Sequence, residues 1–169
     1  MKPLATQSSR APRQRIRIRV RRAHAQRGAT AVEFALVFPL FFTILYAIIT
    51  FSLILVAQQN LTMAAEEGAR AALNWQSNTS MQTALDNRGS AACAAAKLVA
   101  ATLVQSVQCT HSSATCGPGG AMQCVNVLLT YDYKANPLVP TLPLPLLKSA
   151  VPATLSSSAT VQLNPENIQ

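Results

Sequence analysis

The sequence predicts an α+β protein: a long N-terminal transmembrane helix carrying a small extracytoplasmic domain of helices plus a short antiparallel sheet. Three observations predict it. Phe34 to Ala57 is a run of 24 residues without a charge, directly behind a wholly basic stretch. Ala-rich segments of helical character follow it. Near residue 125 the pattern changes to strict alternation, the period of a half-buried strand.

As a helix, the apolar run is about 36 Å long, enough to cross a bilayer with some tilt. Pro39 is acceptable in a lipid-buried helix, and Thr43, Thr50 and Ser52 can bond back to the backbone. A soluble core helix would need protein on all sides, and a chain of 169 residues has little to offer. The hydrophobic content of 50% fits a membrane protein with an Ala-rich remainder.

The net charge of +8 belongs to one end. Residues 1–28 hold nine Lys/Arg and no acid, whereas residues 29–169 hold five bases against six acids, a balance of −1. A nucleic-acid partner for the folded part is therefore not expected. The basic stretch keeps its own end in the cytoplasm and places residues 58–169 outside. The four cysteines, Cys93, Cys109, Cys116 and Cys124, all follow the apolar run, as expected where disulfides persist. The same arm, with its alternation Arg15-Ile-Arg-Ile-Arg-Val-Arg, also suits a targeting or nucleic-acid-binding role in a different kind of membrane protein.

Gln58 to Trp75 continues the helical pattern, with an apolar stripe of Leu61, Ala65, Gly68, Ala72 and Trp75 and an i,i+4 pair of Glu66 with Arg70. The small residues Ala64, Ala65, Gly68, Ala69, Ala71 and Ala72 allow close approach, either to a neighbouring subunit or to the chain's own domain. Asn74 to Ser80 is a loop. Met81 to Val107 reads as one or two helices, interrupted at Gly89-Ser90. Val125, Val127, Leu129, Tyr131 and Tyr133 mark a half-buried strand. Thr102 to Cys109 is its expected antiparallel partner, across the Gly-Pro-Gly-Gly loop at 117–120. Pro137, Pro140, Pro143 and Pro145 mark an irregular connection, and Thr154 to Leu163 an edge strand.

Cys109, His111, Cys116 and Cys124 invite a metal reading, but Cys-x-His-x₄-Cys-x₇-Cys is not a usual zinc spacing. Two disulfides are expected instead. Pairing residues 102–109 with 124–131 favours Cys109–Cys124 and leaves Cys93–Cys116. No catalytic constellation, phosphate loop or cofactor motif is found, so neither an enzyme nor a small-molecule substrate is expected.

One acid, Glu33, stands at the head of the apolar run. A carboxylate at a membrane edge is costly without a partner and marks function by default. The run Gly28-Ala-Thr-Ala-Val-Glu-Phe-Ala-Leu-Val-Phe-Pro-Leu closely resembles the start of TadE-like proteins, pseudopilins or minor pilins of tight-adherence (Flp-type) pilus systems. The likeness continues through the Ala-rich segment that includes Ala69-Arg70. It implies cleavage between Gly28 and Ala29 by a prepilin-type peptidase. Glu33 and Phe34 would then be the fifth and sixth residues of the mature chain and serve assembly. The implied partners are other pilus or pseudopilin subunits and the bacterial inner membrane, with the C-terminal domain periplasmic. The implied organisation is a cytoplasmic leader at 1–28, a transmembrane helix at 29–57 and a domain at 58–169. The alternative is an unprocessed structural component of the envelope secretion complex. Cutting before Ala29 would free an α-amine one helical turn from Glu33, on the same face.

Overall fold

The structure is a computed structural model that describes residues 26–76, 79–140 and 150–168. Helix α1 runs from Gln26 to Ala71 and helix α2 from Met81 to Ala100. Strands β1 (Gln108–Cys116), β2 (Met122–Asp132) and β3 (Thr154–Leu163) follow, with short 3₁₀ turns at Pro118–Gly120 and Pro165–Asn167. The chain divides into two compact units, residues 1–41 and 42–169. The leader arginines from Arg10 to Arg22, Pro143 and Pro145 lie outside the described residues.

The first unit contributes the start of α1, whose apolar side chains, Phe34, Leu36, Val37 and Leu40 among them, are exposed all round. Phe34 and Phe38 stack one turn apart, with ring centroids 5.3 Å apart. α1 is long and apolar enough, over Thr30–Ala71, to cross a membrane.

In the second unit the three strands form an antiparallel sheet in the order β1-β2-β3. Val125, Val127, Leu129 and Tyr131 of β2 are buried, joined by Tyr133 just beyond the strand, while Leu128 and Asp132 are exposed. That alternation is the one read from the sequence, and β3 has the predicted bounds. The buried sheet face packs on α2 and on one stripe of α1, where Ile54, Ala57, Leu61, Ala64, Ala65 and Ala72 are buried. Gly68 shows how tight this is: a Cβ there would lie 2.8 Å from the Ala92 carbonyl oxygen and 2.9 Å from the Ala96 Cβ. The small residues of α1 thus serve contact with the chain's own domain.

The structure corrects several sequence expectations. α1 ends at Ala71, so Trp75 leaves the stripe and is exposed. Arg70 pairs with Glu67 at 3.6 Å rather than with Glu66. Of the one or two helices read over Met81–Val107, the structure has one, α2, which stops at Ala100 and is capped by Ser80, whose side chain accepts from the Thr83 N–H. Gly89 lies within it, and its missing side chain leaves the space that His111 fills. The partner of β2 is residues 108–116, not 102–109. Gln108–Cys116 is polar on its exposed side and carries few β-branched residues, so its strand signal is weak.

Arg88, which the sequence left unremarked, is the largest fully buried side chain. Its guanidinium donates to the Ala72 and Leu73 carbonyls at 3.2 and 3.3 Å, at the end of α1, and to the Asn167 carbonyl at 3.0 Å. A cation beside the last carbonyls of a helix meets the negative end of its dipole. Burial pushes the phenols of Tyr131 and Tyr133 above the ordinary tyrosine value, so both stay neutral at physiological pH.

Arg88→Met should lower unfolding stability by roughly 1–3 kcal/mol, the cost of stranding buried acceptors. Arg88→Lys should also lose stability, since an ammonium cannot span three carbonyls in a planar fork. Urea unfolding of the disulfide-intact chain in detergent checks this. Unchanged midpoints for both variants would show that the contacts carry no net stability.

Candidate functional site

Two places collect the residues that the sequence singled out. The first is the beginning of α1. Gly28 lies in the helix and is exposed, with no atom within 4 Å of where a Cβ would stand. Ala31 and Ala35 favour the helix, while Gly28 is a weak former. Glu33 is exposed and Phe34 follows it on the apolar surface. Pro39 has no N–H, so the helical bond to the Ala35 carbonyl is missing at that turn. Ala29 is helical, and its side chain and that of Arg27 lie outside the described residues. The arrangement is a carboxylate near the start of an exposed apolar helix, with the Gly28–Ala29 bond just over one turn before it.

The second place is the cysteine region. Cys93 of α2 bonds Cys109 of β1, with Cα atoms 5.6 Å apart, and Cys116 bonds Cys124 across the β1–β2 hairpin at 5.8 Å. The expectation of two disulfides therefore stands, but the pairing favoured from the sequence, Cys109–Cys124 with Cys93–Cys116, is overturned. The reason is strand parity. In the observed register Cys109 lies opposite Leu129, and Cys124 opposite Ala114. Cys109 and Leu129 belong to the helix-facing side of the sheet, and Cys124 to the other, so a bond between Cys109 and Cys124 would have to pass through the sheet. All four sulfurs are taken up, so the Cys109, His111, Cys116 and Cys124 spacing assembles no thiolate site. His111 instead meets Asp86 of α2, Nε2 to Oδ1 at 3.0 Å. Sequence reasoning missed both Asp86 and Arg88, because their partners come from elements distant in the chain and no local pattern marks them.

Residues 28–70 match the family model of TadE-like proteins. The matched segment begins at Gly28, contains Glu33, Phe34 and Pro39, and ends at Arg70, all within α1. The resemblance read from the sequence is shown over this TadE-like segment, which stops short of α2 and the sheet. It points to a function connected with tight-adherence (Flp-type) pili. No curated protein and no solved structure matches the chain.

The disulfide pairing has a direct check. Cys93→Ser with Cys109→Ser should leave no alkylatable thiol, because Cys116 and Cys124 still pair with each other. Two reactive thiols in that double variant, measured by mass spectrometry before reduction, would restore the crossed pairing.

Proposed function

We propose that this chain is a pseudopilin or minor pilin that takes part in building or anchoring a tight-adherence pilus, and so in adhesion. It acts by helix packing and carries out no reaction of its own. The observation that supports this most is the TadE-like match beginning at Gly28, on a helix whose first part exposes its apolar side chains on every face. Such a surface is unsuited to water and suited first to lipid and then to other helices.

In this reading a prepilin-type peptidase of the bacterial inner membrane cuts the Gly28–Ala29 bond on the cytoplasmic side. The Ala29 amine then lies within reach of Glu33, in its own helix or in a neighbouring subunit. In a low-dielectric setting that attraction is far stronger than at a wet surface, so an unpaired Glu33 favours association in one register. Residues 58–169 lie in the periplasm, consistent with the disulfides Cys93–Cys109 and Cys116–Cys124.

Two substitutions test the reading. Gly28→Ala has open space in the helix and gains helix propensity, so it leaves the fold intact. It should nevertheless accumulate uncut precursor in the native host. N-terminal sequencing of the wild-type envelope protein should begin at Ala29, and an intact leader there would make the chain an unprocessed component of the secretion complex. Glu33→Gln should insert and be cleaved normally, yet co-purify poorly with the pilus fraction. Normal assembly with Gln at this position would reduce Glu33 to a solvated interfacial residue.

A further inference from the structure

The apolar run does not end where the domain begins. Its last twelve residues, Tyr46–Ala57, bury one face: Tyr46 and Ala47 are half-buried, and Thr50, Ile54 and Ala57 are buried. These positions recur every three or four residues and form one stripe. The cluster that Ile54 and Ala57 join contains Tyr131, Tyr133 and Leu155, with Leu138 and Val151 packed against it. On the remaining faces at the same heights, Ile48, Ile49, Leu55 and Val56 stay open. Before Tyr46 the helix from Ala29 lacks this covered stripe, a length of about 26 Å against a hydrocarbon core of about 30 Å. A span made of those residues alone would be at the short limit, about 26 Å, and would leave Ile48, Ile49, Leu55 and Val56 in water.

From this we infer that the base of the domain, the segment Ala135–Pro140, is seated in the outer leaflet, with lipid acyl chains as its partner. Non-helical backbone at that depth needs its polar groups satisfied by protein, and four backbone groups of this segment have such partners. The Ala135 N–H donates to the Asp132 carboxylate at 2.9 Å and the Asn136 N–H to the Asp132 carbonyl at 3.1 Å. The Asn136 carbonyl accepts from the Tyr131 hydroxyl at 2.6 Å. The Pro140 carbonyl accepts from the hydroxyl of Tyr46 in the apolar run. Pro137 and Pro140 have no N–H to satisfy. Within α1, the Thr50 and Ser52 hydroxyls donate to the Tyr46 and Ile48 carbonyls. The nearest charges, Asp132 and Lys134, precede the segment, and Ala135–Pro140 carries none. Lys134 can reach the headgroups along its own stem.

This inference rests on the reading of α1 as a membrane span, and the experiment separates the two. The chain has one tryptophan, the exposed Trp75, just past the end of α1. In a Trp75→Phe background, Pro140→Trp places a reporter in the segment and Phe38→Trp places one in the span. Each full-length variant, with both disulfides confirmed, is reconstituted in phosphatidylcholine vesicles with and without brominated acyl chains. Pro140→Trp should lose emission to brominated lipid about as strongly as Phe38→Trp, and its emission should be blue-shifted relative to Trp75 in the wild type, which should remain unquenched. A Leu138→Trp variant repeats the measurement where loss of Pro140 disturbs the turn. Quenching of Phe38→Trp with none at either position 138 or 140 would overturn the inference and leave the span standing. No quenching at position 38 would overturn the span itself.

Discussion

A single buried cation holds together parts of the chain that are far apart in sequence. Arg88 projects from α2 to the end of α1 and to the C-terminal turn, bonding three main-chain carbonyls across separations of 15 to 79 residues. Burying a guanidinium is expensive, and the cost is offset only when its fork meets acceptors in good geometry. No carboxylate pairs with it among the described residues. The acceptors are instead carbonyls, two of them at a helix end where the backbone has no further N–H to offer. The same contact therefore satisfies the last turn of α1, fixes the rotation of α2 and retains the chain's final residues. Small side chains alone would define these positions loosely, since an Ala-rich interface has few protrusions to lock its register.

The disulfides act on what Arg88 does not reach. Cys93–Cys109 ties α2 to the outer strand β1, and Cys116–Cys124 fastens the hairpin whose tip carries Gly117, Gly119 and Gly120 at positive φ. These glycines make the turn without side-chain strain. Each bridge is worth roughly 2–4 kcal/mol, a large share of the stability of so small a core. The two bonds occupy opposite faces of one strand. One therefore holds the sheet to the helices, and the other holds the sheet to itself.

Much of this was legible in the residues. The uncharged run, the strict alternation of Val125 through Tyr133 and the Ser/Thr-rich strand at 154–163 all carry local periodicity, and local periodicity survives folding. The motif from Gly28 to Arg70 was legible for the same reason, being contiguous. What could not be read depends on distant parts meeting. Arg88 looked like one of a few scattered bases until the end of α1 and the C-terminus closed over it. The disulfide pairing turned on where one polar strand begins, and a shift of strand bounds from 102–109 to 108–116 reverses which cysteines share a face. Trp75 fitted the helical spacing, but the helix stops before it.

The small residues along the upper part of α1 are already occupied. Gly68 sits against the Ala92 carbonyl and Ala96, and Ala64, Ala65 and Ala72 are fully enclosed. What α1 shows the outside at those levels is Met63, Glu66, Glu67 and Arg70, long side chains of mixed character. A helix from another subunit arriving there would be held toward the wide end of the 8–10 Å range of interaxial distances. Its contacts would also be salt-sensitive. Among the described residues of α1, the apolar surface open to another helix extends to Val56, so a helix packed along α1 would meet apolar side chains first and long polar ones farther on.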